Sequence, residues 1–412
     1  MSWELLMGVA PLDTIDIFDP EHLEDPYDLY RSLRETAPVH QVPGTDFYLV
    51  STWKLVTEAV SRTEDFSSNL TGVLVRQPEG PPATFDLDGG GQAVHVLATA
   101  DDPTHLAQRK LVLPVLGKRI RTLGPTVREL VDRLWSEHLR DGRIEWAGAM
   151  ADRLPLAMVA HLIGLPDEDV PQLLSWAYDS TEMLGGVVSG EQLGRLFTSA
   201  AELARYLHHK LQDAQRDPDN DLLGVLAQAC TAGEIAEEIA VLVLVQLVGA
   251  GGESTAGLVA SAARILATHP ELQERLRREP NLIAPFLEEV LRLESPFRGH
   301  HRHVTAATTL GGVELPAGSH LLLLWGAANR DPDHFEVPDE VRIDRQGVTR
   351  HLAFGKGAHF CLGSALARME ALVAITTLLE RSSNVTLVDD DQPRWVPSIF
   401  VRRHLTLPLR IH

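Results

Sequence analysis

The cysteine Cys361 stands in a glycine-rich stretch, residues 354–363 (FGKGAHFCLG), that constrains this chain more than any other. Glycine lets the backbone take positive φ and approach a flat ligand or a second backbone closely. A helix-like run from Ser364 to Glu380 follows, and the unpaired N–H groups and dipole of a helix start stabilise a thiolate. The pattern predicts an ionised cysteine in a tight loop, its sulfur facing a bulky group. A buried structural cysteine beside a turn has the same local pattern.

Six positions of this stretch resemble the haem-binding loop of cytochromes P450. They are Phe354, Gly355, Gly357, His359, Cys361 and Gly363. The resemblance implies that Cys361 is the axial thiolate, and thus the metal ligand, on the iron of haem b (iron protoporphyrin IX). It also assigns four of the others to cofactor binding: Phe354, Gly355, His359 and Gly363. A thiolate ligand pushes electron density onto the iron and favours cleavage of an O–O bond.

Composition excludes several classes of protein. The chain has 412 residues, of which 57 are acidic and 37 basic, and the net charge of −20 argues against a general nucleic-acid binder. Neither Cys230 nor Cys361 has a second cysteine at metal-finger spacing, so no zinc cluster or disulfide framework is expected. Residues 1–17 contain no basic residue and predict neither a secretory signal nor an anchor. The most apolar run, 239–250, is about twelve residues, too short for a membrane span. We expect a soluble, cytoplasmic monomer without nucleic-acid or membrane partners.

Hydrophobic periodicity predicts a mostly helical chain between about residues 103 and 280. Three further helices are predicted at Pro26–Thr36, Thr52–Ser61 and Leu282–Leu293. One helix, from near Gly233 to about Thr268, would be roughly 50 Å long at 1.5 Å per residue. Helix-breaking stretches such as Pro114–Gly117 are expected to divide the rest of this helical region into separate helices.

Short strands flank the helices. Strand-like runs are predicted at Val39–Val42, Phe47–Val50, Thr309–Leu315, Ser319–Trp325, Val385–Val388 and Leu405–Leu409. The first two are joined by a hairpin signal, whereas Asn69–Gly91 is expected to be a long irregular loop. The fold class is mainly α, and the resemblance implies the cytochrome P450 fold. We expect a single domain over residues 1–412. Its β-rich lobe would cover roughly 26–68 and 296–345, and its larger helical lobe roughly 100–295 and 350–380.

Glu289 and Arg292 lie at i, i+3 and therefore on one face of a predicted helix. This spacing alone is typical of a surface ion pair. The pair also resembles the Glu-x-x-Arg of cytochromes P450, where a third arginine completes a buried network that locks the cysteine loop. Arg345 fits the third place, although Val341 replaces the usual Phe of that stretch. Such a network is costly to break, by roughly 3–5 kcal/mol.

The predicted long helix contains two adjacent glycines, Gly251 and Gly252. Each costs about 1 kcal/mol relative to Ala in mid-helix, which indicates a distortion or the close approach of another group. Residues 250–255 resemble the P450 motif Ala-Gly-x-Glu/Asp-Thr-Thr, in which a kink opens a groove for O2. The resemblance implies roles for five residues: Ala250 and Gly251 at the cofactor, Glu253 as the proton-delivering acid, Ser254 as the hydroxyl, and Thr255 as a poorer candidate. Serine in place of the usual threonine predicts looser proton delivery and more peroxide.

Haem carries two propionates, so cations are expected to converge on them from separate elements. Four positions match those of the family: His105, Arg109, Arg302 and His359. His300, His301 and His303 surround Arg302, but no carboxylate accompanies them at ligand spacing, so no metal site is predicted there.

Basic residues gather near the predicted thiolate face despite the acidic total. They are Arg109, Lys110, Lys118, Arg119, Arg121 and Lys356. A solvated charge run has the same composition. The functional interpretation is a docking patch for an acidic ferredoxin-type electron donor, itself served by a reductase.

The resemblance predicts a substrate pocket lined by Val245, Val248, Gly249, Phe297 and Ile399. These residues carry no charge, so an apolar small molecule is expected: a terpenoid, steroid, polyketide or fatty acid. Arg298 and Arg76 leave room for a substrate carboxylate. The expected activity is hydroxylation of an unactivated C–H bond with O2. A peroxide-driven or rearranging haem-thiolate enzyme, and a non-catalytic haem protein that binds a ligand, remain as alternatives.

Overall fold

The computed structural model describes residues 16–412, so the prediction about residues 1–17 falls almost entirely outside the described residues. Helices make up 54% of the described residues, which confirms the mainly α fold class. The helices are α1 Pro20–Glu24, α2 Tyr27–Thr36, α3 Trp53–Ser61, α4 Thr104–Ile120, α5 Gly124–His138, α6 Arg153–Ile163, α7 Val170–Glu182, α8 Gly190–Arg216, α9 Leu222–Thr231, α10 Glu237–Thr268, α11 Pro270–Arg278, α12 Ile283–Leu293, α13 Trp325–Ala328 and α14 Ser364–Glu380.

Helix α10 is apolar on nearly all sides, and such a helix is stable in water only when others cover it. It packs against α6, α7, α8 and α14, and Val243 and Leu244 are fully buried. By length and composition, α10 is long and apolar enough to span a membrane. From the sequence, the apolar run was expected to be too short for a span, and that expectation was wrong. Within the protein, 56% of its most apolar window is buried, and the core helices of soluble proteins pass the same length test.

The described strands form one main sheet and several small ones. They are β1 Val39–Gln41, β2 Phe47–Val50, β3 Phe66–Ser67, β4 Gly72–Val75, β5 Ala83–Asp86, β6 Arg143–Glu145, β7 His300–Val304, β8 Thr308–Leu310, β9 Val313–Leu315, β10 His320–Leu323, β11 Val385–Leu387, β12 Arg394–Trp395, β13 His404–Thr406 and β14 Pro408–Ile411. The main sheet has the order β1-β2-β10-β7-β3. Val39 pairs with Val50, which confirms the predicted hairpin, while β10 runs parallel to β2. Strand β7 carries Arg302 toward the site described below.

Four predictions about individual elements were wrong. The strand expected over Leu405–Leu409 is two strands of different sheets, β13 and β14, which are separated at Leu407. The strand expected over Thr309–Leu315 is the hairpin β8–β9, because Gly311 and Gly312 both adopt positive φ and turn the chain. The loop expected at Asn69–Gly91 contains the hairpin β4–β5. In it Val73 and Val75 pack with Val188 and Leu196, so burial stabilises these strands.

The helix break expected at Pro114 does not occur, since α4 continues from Thr104 to Ile120. Proline removes the N–H that would pair with the carbonyl of Lys110. Both residues are exposed, so water can satisfy that carbonyl. The single-domain organisation with two lobes stays a prediction.

Candidate active site

The cysteine loop is a compact turn that ends at the start of α14. The Cys361 N–H donates to the carbonyl oxygen of Phe354 at 2.9 Å, so the loop folds back on itself. Gly355 and Gly357 have φ of 68° and 73°, a region that residues with side chains rarely adopt. Two glycines are therefore required for the turn, and Cys361 precedes the first helical residue, Ser364, by three positions.

The electrostatics of the thiol differ from the prediction. Burial raises the pKa of Cys361 above its ordinary value. The amides of Gly363 and Ser364 and the guanidinium groups of Arg109 and Arg368 lower it only in part. A helix start is thus insufficient to ionise this thiol, because desolvation disfavours the charged form. A metal ion bound at the sulfur would supply the charge that stabilises the thiolate.

All ten residues assigned to the cofactor border one cavity of about 240 Å³. They are His105, Arg109, Ala250, Gly251, Arg302, Phe354, Gly355, His359, Cys361 and Gly363. They come from α4, α10, β7 and the cysteine loop, so the fold collects them from positions more than 250 residues apart in the chain.

The four basic residues lie at this cavity with few acidic partners. The rings of His105 and His359 are 4.1 Å apart, and His359 Nδ1 is buried without a hydrogen-bond partner among residues 16–412. Arg109 donates to the carbonyl oxygen of Phe360 at 2.8 Å, and Arg302 donates to that of His301 at 2.7 Å. Burial lowers the pKa of Arg302 to about 10. Side-chain donors that converge on one cavity from separate elements fit a ligand with carboxylate groups, so the residues present fit haem.

The predicted ion network is fully buried. Arg292 donates to Glu289 from Nε and Nη2, both at 2.8 Å, and neither side chain is exposed. Arg345 Nε lies 3.0 Å from Glu289 Oε1, which also accepts the Arg342 backbone N–H at 2.9 Å. Although burial raises the pKa of Glu289, these donors hold it below its ordinary value.

Asn329 connects this network to the cysteine loop. Its carbonyl oxygen accepts a hydrogen bond from Arg292 at 2.9 Å. Its side-chain oxygen accepts the backbone N–H of Leu352 at 2.7 Å, two residues before Phe354. The charge network therefore fixes the residue from which the loop begins.

Helix α10 presents one face to the cavity. That face carries Gln246, Leu247, Ala250, Gly251, Ser254, Thr255 and Leu258. Because each residue turns the helix by about 100°, the intervening Val248 and Gly249 point elsewhere. A β-carbon on Gly251 would collide with Val159 of α6. The glycine therefore permits close packing of two helices, which was one of the two expected explanations.

Of the five predicted pocket residues, the structure places only Phe297 at the cavity. Val245 packs against the main core and Val248 is buried in it, and a β-carbon on Gly249 would meet Ser180 Oγ at 2.6 Å. Ile399 belongs to a separate cluster beneath α2. These four residues do not border this cavity, because spacing along the chain does not fix which helix face or which core each residue joins, and their part in a substrate pocket stays a prediction.

The acid Glu253 does not border the cavity. Its carboxylate is buried, accepts a hydrogen bond from Arg403 Nε at 2.9 Å, and accepts another from the hydroxyl of Thr181. Arg403 lies 3.6 Å from Asp152, whose other neighbour is the Tyr178 hydroxyl. Glu253 is thus held in a buried ion cluster, one helix face away from Ser254.

Two arginines have structural partners that the sequence did not reveal. Arg119, assigned to the docking patch, donates to the carbonyl oxygens of His161 and Asn220. Arg298, considered for a substrate carboxylate, is buried and donates to three backbone carbonyls, those of His22, Leu23 and Val401. Neither guanidinium is available for the predicted role. Lys110, Lys118 and Arg121 are exposed.

Several cavity residues were missed. Gln246 of α10 accepts the backbone N–H of Ala98 at 2.8 Å and so holds the chain before α4 over the cavity. Gln246, Ala250 and Ser254 stand at positions i, i+4 and i+8, and this spacing alone would have placed Gln246 on the same helix face as the two predicted residues. Leu97 and Trp325 also border the cavity. Leu97 stands in a segment without periodicity, and Trp325 ends the run Ser319–Trp325, which was predicted only as a strand.

His301 gives a prediction about pH. It packs between Phe47 and Phe400, and burial lowers its pKa to about 3. Between this value and its ordinary value of 6.5, protons bind the unfolded chain but not the folded one. Stability therefore falls as pH decreases through that window, by about 2 kcal/mol from pH 8 to pH 5 for this group.

We expect the free energy of unfolding of His301→Phe to fall by about 2 kcal/mol less than that of the parent protein between pH 8 and pH 5. Urea unfolding at both pH values measures this difference. His209→Phe, at an exposed position of α8, is the matched control and should follow the parent. An unchanged pH dependence in His301→Phe would show that His301 is not held neutral.

A family model described as cytochrome P450 matches residues 191–398. Cytochrome P450 144 of Mycobacterium tuberculosis is 50% identical to this chain over 407 residues, which cover 98% of this chain and 93% of that protein.

Solved structures have the same fold. CYP109E1 of Bacillus megaterium in complex with testosterone aligns with a TM-score of 0.84 at 28% identity, over 95% of this chain and 99% of that one. P450BioI in complex with an acyl carrier protein ligated to hexadec-9Z-enoic acid aligns with a TM-score of 0.83 at 29% identity, over 95% and 99% of the two chains.

Proposed function

The chain belongs to the cytochrome P450 family of haem-thiolate monooxygenases, and on this premise we propose that it hydroxylates an unactivated C–H bond of an apolar small molecule. The oxidant is O2, and a ferredoxin-type protein supplies two electrons. The observation that carries this proposal is the meeting of one thiol, the four basic side chains assigned to the propionates and two hydroxyls at a single cavity.

The proposed cofactor is haem b. Cys361 would hold its iron, and His105, Arg109, Arg302 and His359 would bind its propionates. When bound, the haem supplies activation of O2 and oxidising power, while the protein supplies ligation, orientation and a dry pocket.

Ser254 is the proposed proton donor at the cavity. Its hydroxyl lies 3.3 Å from the carbonyl oxygen of Ala250 one turn earlier, so it must rotate away from that carbonyl to serve another acceptor. Glu253 is the proposed source of its protons, and release from Arg403 is required for it to act. Thr255 also borders the cavity but is buried.

We expect Ser254→Ala to lower the fraction of consumed electrons that reaches product and to raise the release of peroxide. A positioned proton donor contributes about 10²-fold or more, so product formation should fall by roughly that factor. Ser254→Thr should raise the coupled fraction, because the added methyl restricts the rotamer. Product and peroxide are measured against NADH consumed, with Thr255→Ala as the milder control. Equal coupling in Ser254→Ala and the parent would remove Ser254 from the proposal.

The proposed substrate is apolar: a terpenoid, steroid, polyketide or fatty acid. The charged residues that border the cavity are those assigned to the cofactor, together with Lys356 of the cysteine loop. The remaining wall includes Leu97, Leu247 and Phe297, which are apolar. The related proteins found with testosterone and with a hexadecenoic acyl chain support this substrate class.

The proposed electron donor docks beside the cysteine loop. Helix α4 contacts that loop through Arg109, which donates to the carbonyl oxygen of Phe360. The cations Lys110 and Lys118 of this helix are exposed, and so are the apolar side chains of Leu106, one helical turn before Lys110, and of Phe360 in the loop. An apolar centre with a cationic rim suits an acidic partner protein. We further propose that the protein acts in the cytoplasm as a monomer.

The rate of reduction by ferredoxin is expected to fall steeply with ionic strength, because salt screens the attraction between exposed charges. Lys110→Gln combined with Lys118→Gln should lower both the rate at low salt and its salt dependence. Arg216→Gln, at the exposed end of α8, is the control. Stopped-flow measurement of the reduction by ferredoxin gives both the rate at low salt and its dependence on salt concentration. A rate that does not respond to salt would contradict docking at this patch.

The proposed function is tested by NADH consumption and product analysis with a surrogate ferredoxin, its reductase and a library of apolar compounds. The proposal predicts a hydroxylated product whose yield requires both electron-transfer proteins and O2. Product formed with peroxide alone would favour the peroxide-driven alternative. A ligand that shifts the spectrum but is never converted, with any redox partner, would favour a binding protein.

A further inference from the structure

A second buried acid of α12, Glu288, forms a cluster behind the cysteine loop that is separate from the Glu289 network. Arg368 of α14 donates from Nε to Glu288 Oε1 at 2.6 Å and from Nη2 to Oε2 at 2.9 Å. His351 Nε2 lies 3.2 Å from the same Oε2. Both Glu288 and His351 are buried. This bidentate geometry fixes the plane of the guanidinium.

The fixed guanidinium lies against the ring of Phe354. The central carbon of Arg368 is 4.4 Å from the ring centroid, a distance at which a cation is attracted by the aromatic face. Phe354 borders the haem cavity, and its carbonyl oxygen accepts the Cys361 N–H. The ring therefore connects the Arg368 cation to the residue that carries the sulfur.

The charge of Arg368 is also held at the start of α14, the helix that follows the cysteine loop. Arg368 Nη1 donates to the carbonyl oxygen of Ser364 at 3.5 Å, and Ser364 is the first residue of that helix, three positions beyond Cys361. Glu288 balances that charge. The field at the sulfur thus depends on both members of the pair, with opposite signs.

We propose that Arg368 is a positioning residue for the cysteine ligand and that Glu288 is its counter-charge. Together they hold Phe354 against the loop and set the electrostatic field at the Cys361 sulfur, and hence the reduction potential of the bound haem iron. This inference rests on the proposed haem-thiolate function.

The two partners have effects of opposite sign. The reduced site carries one more electron, so a nearby positive charge stabilises it and raises the potential. Glu288→Gln leaves Arg368 uncompensated, which raises the potential. Arg368→Met removes the cation and keeps the packing length, which lowers it. A general loosening of the loop would shift both variants in the same direction.

The experiment is a spectroelectrochemical titration of the haem-loaded proteins. We expect each substitution to change the ratio of reduced to oxidised protein at fixed potential by about threefold, or about 30 mV for one electron. The double variant should return toward the parent value. Arg368→Lys, which keeps the charge, should remain near the parent.

Arg381→Met is the matched control. Arg381 ends the same helix, pairs with Asp132 at 2.5 Å, lies over the ring of Trp135 and has a similarly exposed side chain, 39% against 37% for Arg368. It stands twenty positions beyond Cys361 in the chain, and its loss should leave the potential unchanged.

Shifts of the same sign in Glu288→Gln and Arg368→Met, or no shift in either, would overturn the proposal. If Glu288→Gln does not take up haem, the comparison of Arg368→Met with Arg368→Lys decides: equal potentials overturn it, and a lower potential in Arg368→Met alone supports it. A normal carbon monoxide spectrum in the parent establishes thiolate ligation beforehand. A failure here is therefore distinct from a failure of the proposed function.

Discussion

Replacement of Glu289 by alanine is expected to give protein that is insoluble or lacks haem. The substitution leaves Arg292 and Arg345 buried without a counter-charge, and neither is able to lose its proton. Breaking a buried pair in this way costs roughly 3–5 kcal/mol, a large share of the roughly 5–15 kcal/mol by which folded proteins are stable. The damage should reach the cofactor, because Arg292 also holds the carbonyl oxygen of Asn329, whose side chain fixes Leu352 at the start of the cysteine loop.

The measurement is the haem content per polypeptide in the soluble fraction, together with the thermal unfolding temperature. Asp28→Ala is the matched control, because Asp28 and Arg31 form an i, i+3 pair at 2.7 Å on the surface, where the aspartate side chain is 90% exposed. That variant should change stability by less than about 1 kcal/mol. Normal haem content and unchanged stability in Glu289→Ala would contradict the role given to this network.

Replacement of Cys361 by serine is expected to abolish monooxygenase activity. Removing a partner in the outer shell of a metal site costs about 10–100-fold, and loss of the axial ligand itself should exceed that. Some haem should still be retained, because the four basic side chains at the cavity do not depend on the sulfur. Cys230→Ser, on α9 and half-buried, is the control and should keep full activity. Activity in Cys361→Ser at the level of this control would contradict the assignment.

The sequence was informative where chemistry and local geometry require particular residues. The turn of the cysteine loop needs glycine at positions 355 and 357, where φ is positive, and the start of α14 was predicted at the residue where it begins. The spacing of Glu289 and Arg292 placed both on one helix face, and all ten residues assigned to the cofactor border one cavity. Each of these depends on residue type at fixed spacing.

The remaining features depend on tertiary contacts that one sequence does not specify. The predicted pocket residues Val248 and Gly249 do not lie on the face of α10 that borders the cavity, because an apolar helix shows no periodicity that distinguishes its cavity face from its core face. Arg298 and Arg119 were given functional roles, yet their donors pair with backbone carbonyls far away in the chain. The helix start was expected to favour an ionised Cys361, whereas burial of the sulfur raises the pKa of this thiol and acts in the opposite direction.

The bond between the Cys361 sulfur and the haem iron is tested most directly by the absorption spectrum of the reduced protein with carbon monoxide. The parent protein and Cys230→Ser, both loaded with haem, are predicted to show the band of a thiolate-ligated haem, and Cys361→Ser is predicted to lack it. A haem-loaded parent without that band, or the same band in Cys361→Ser, would contradict the account.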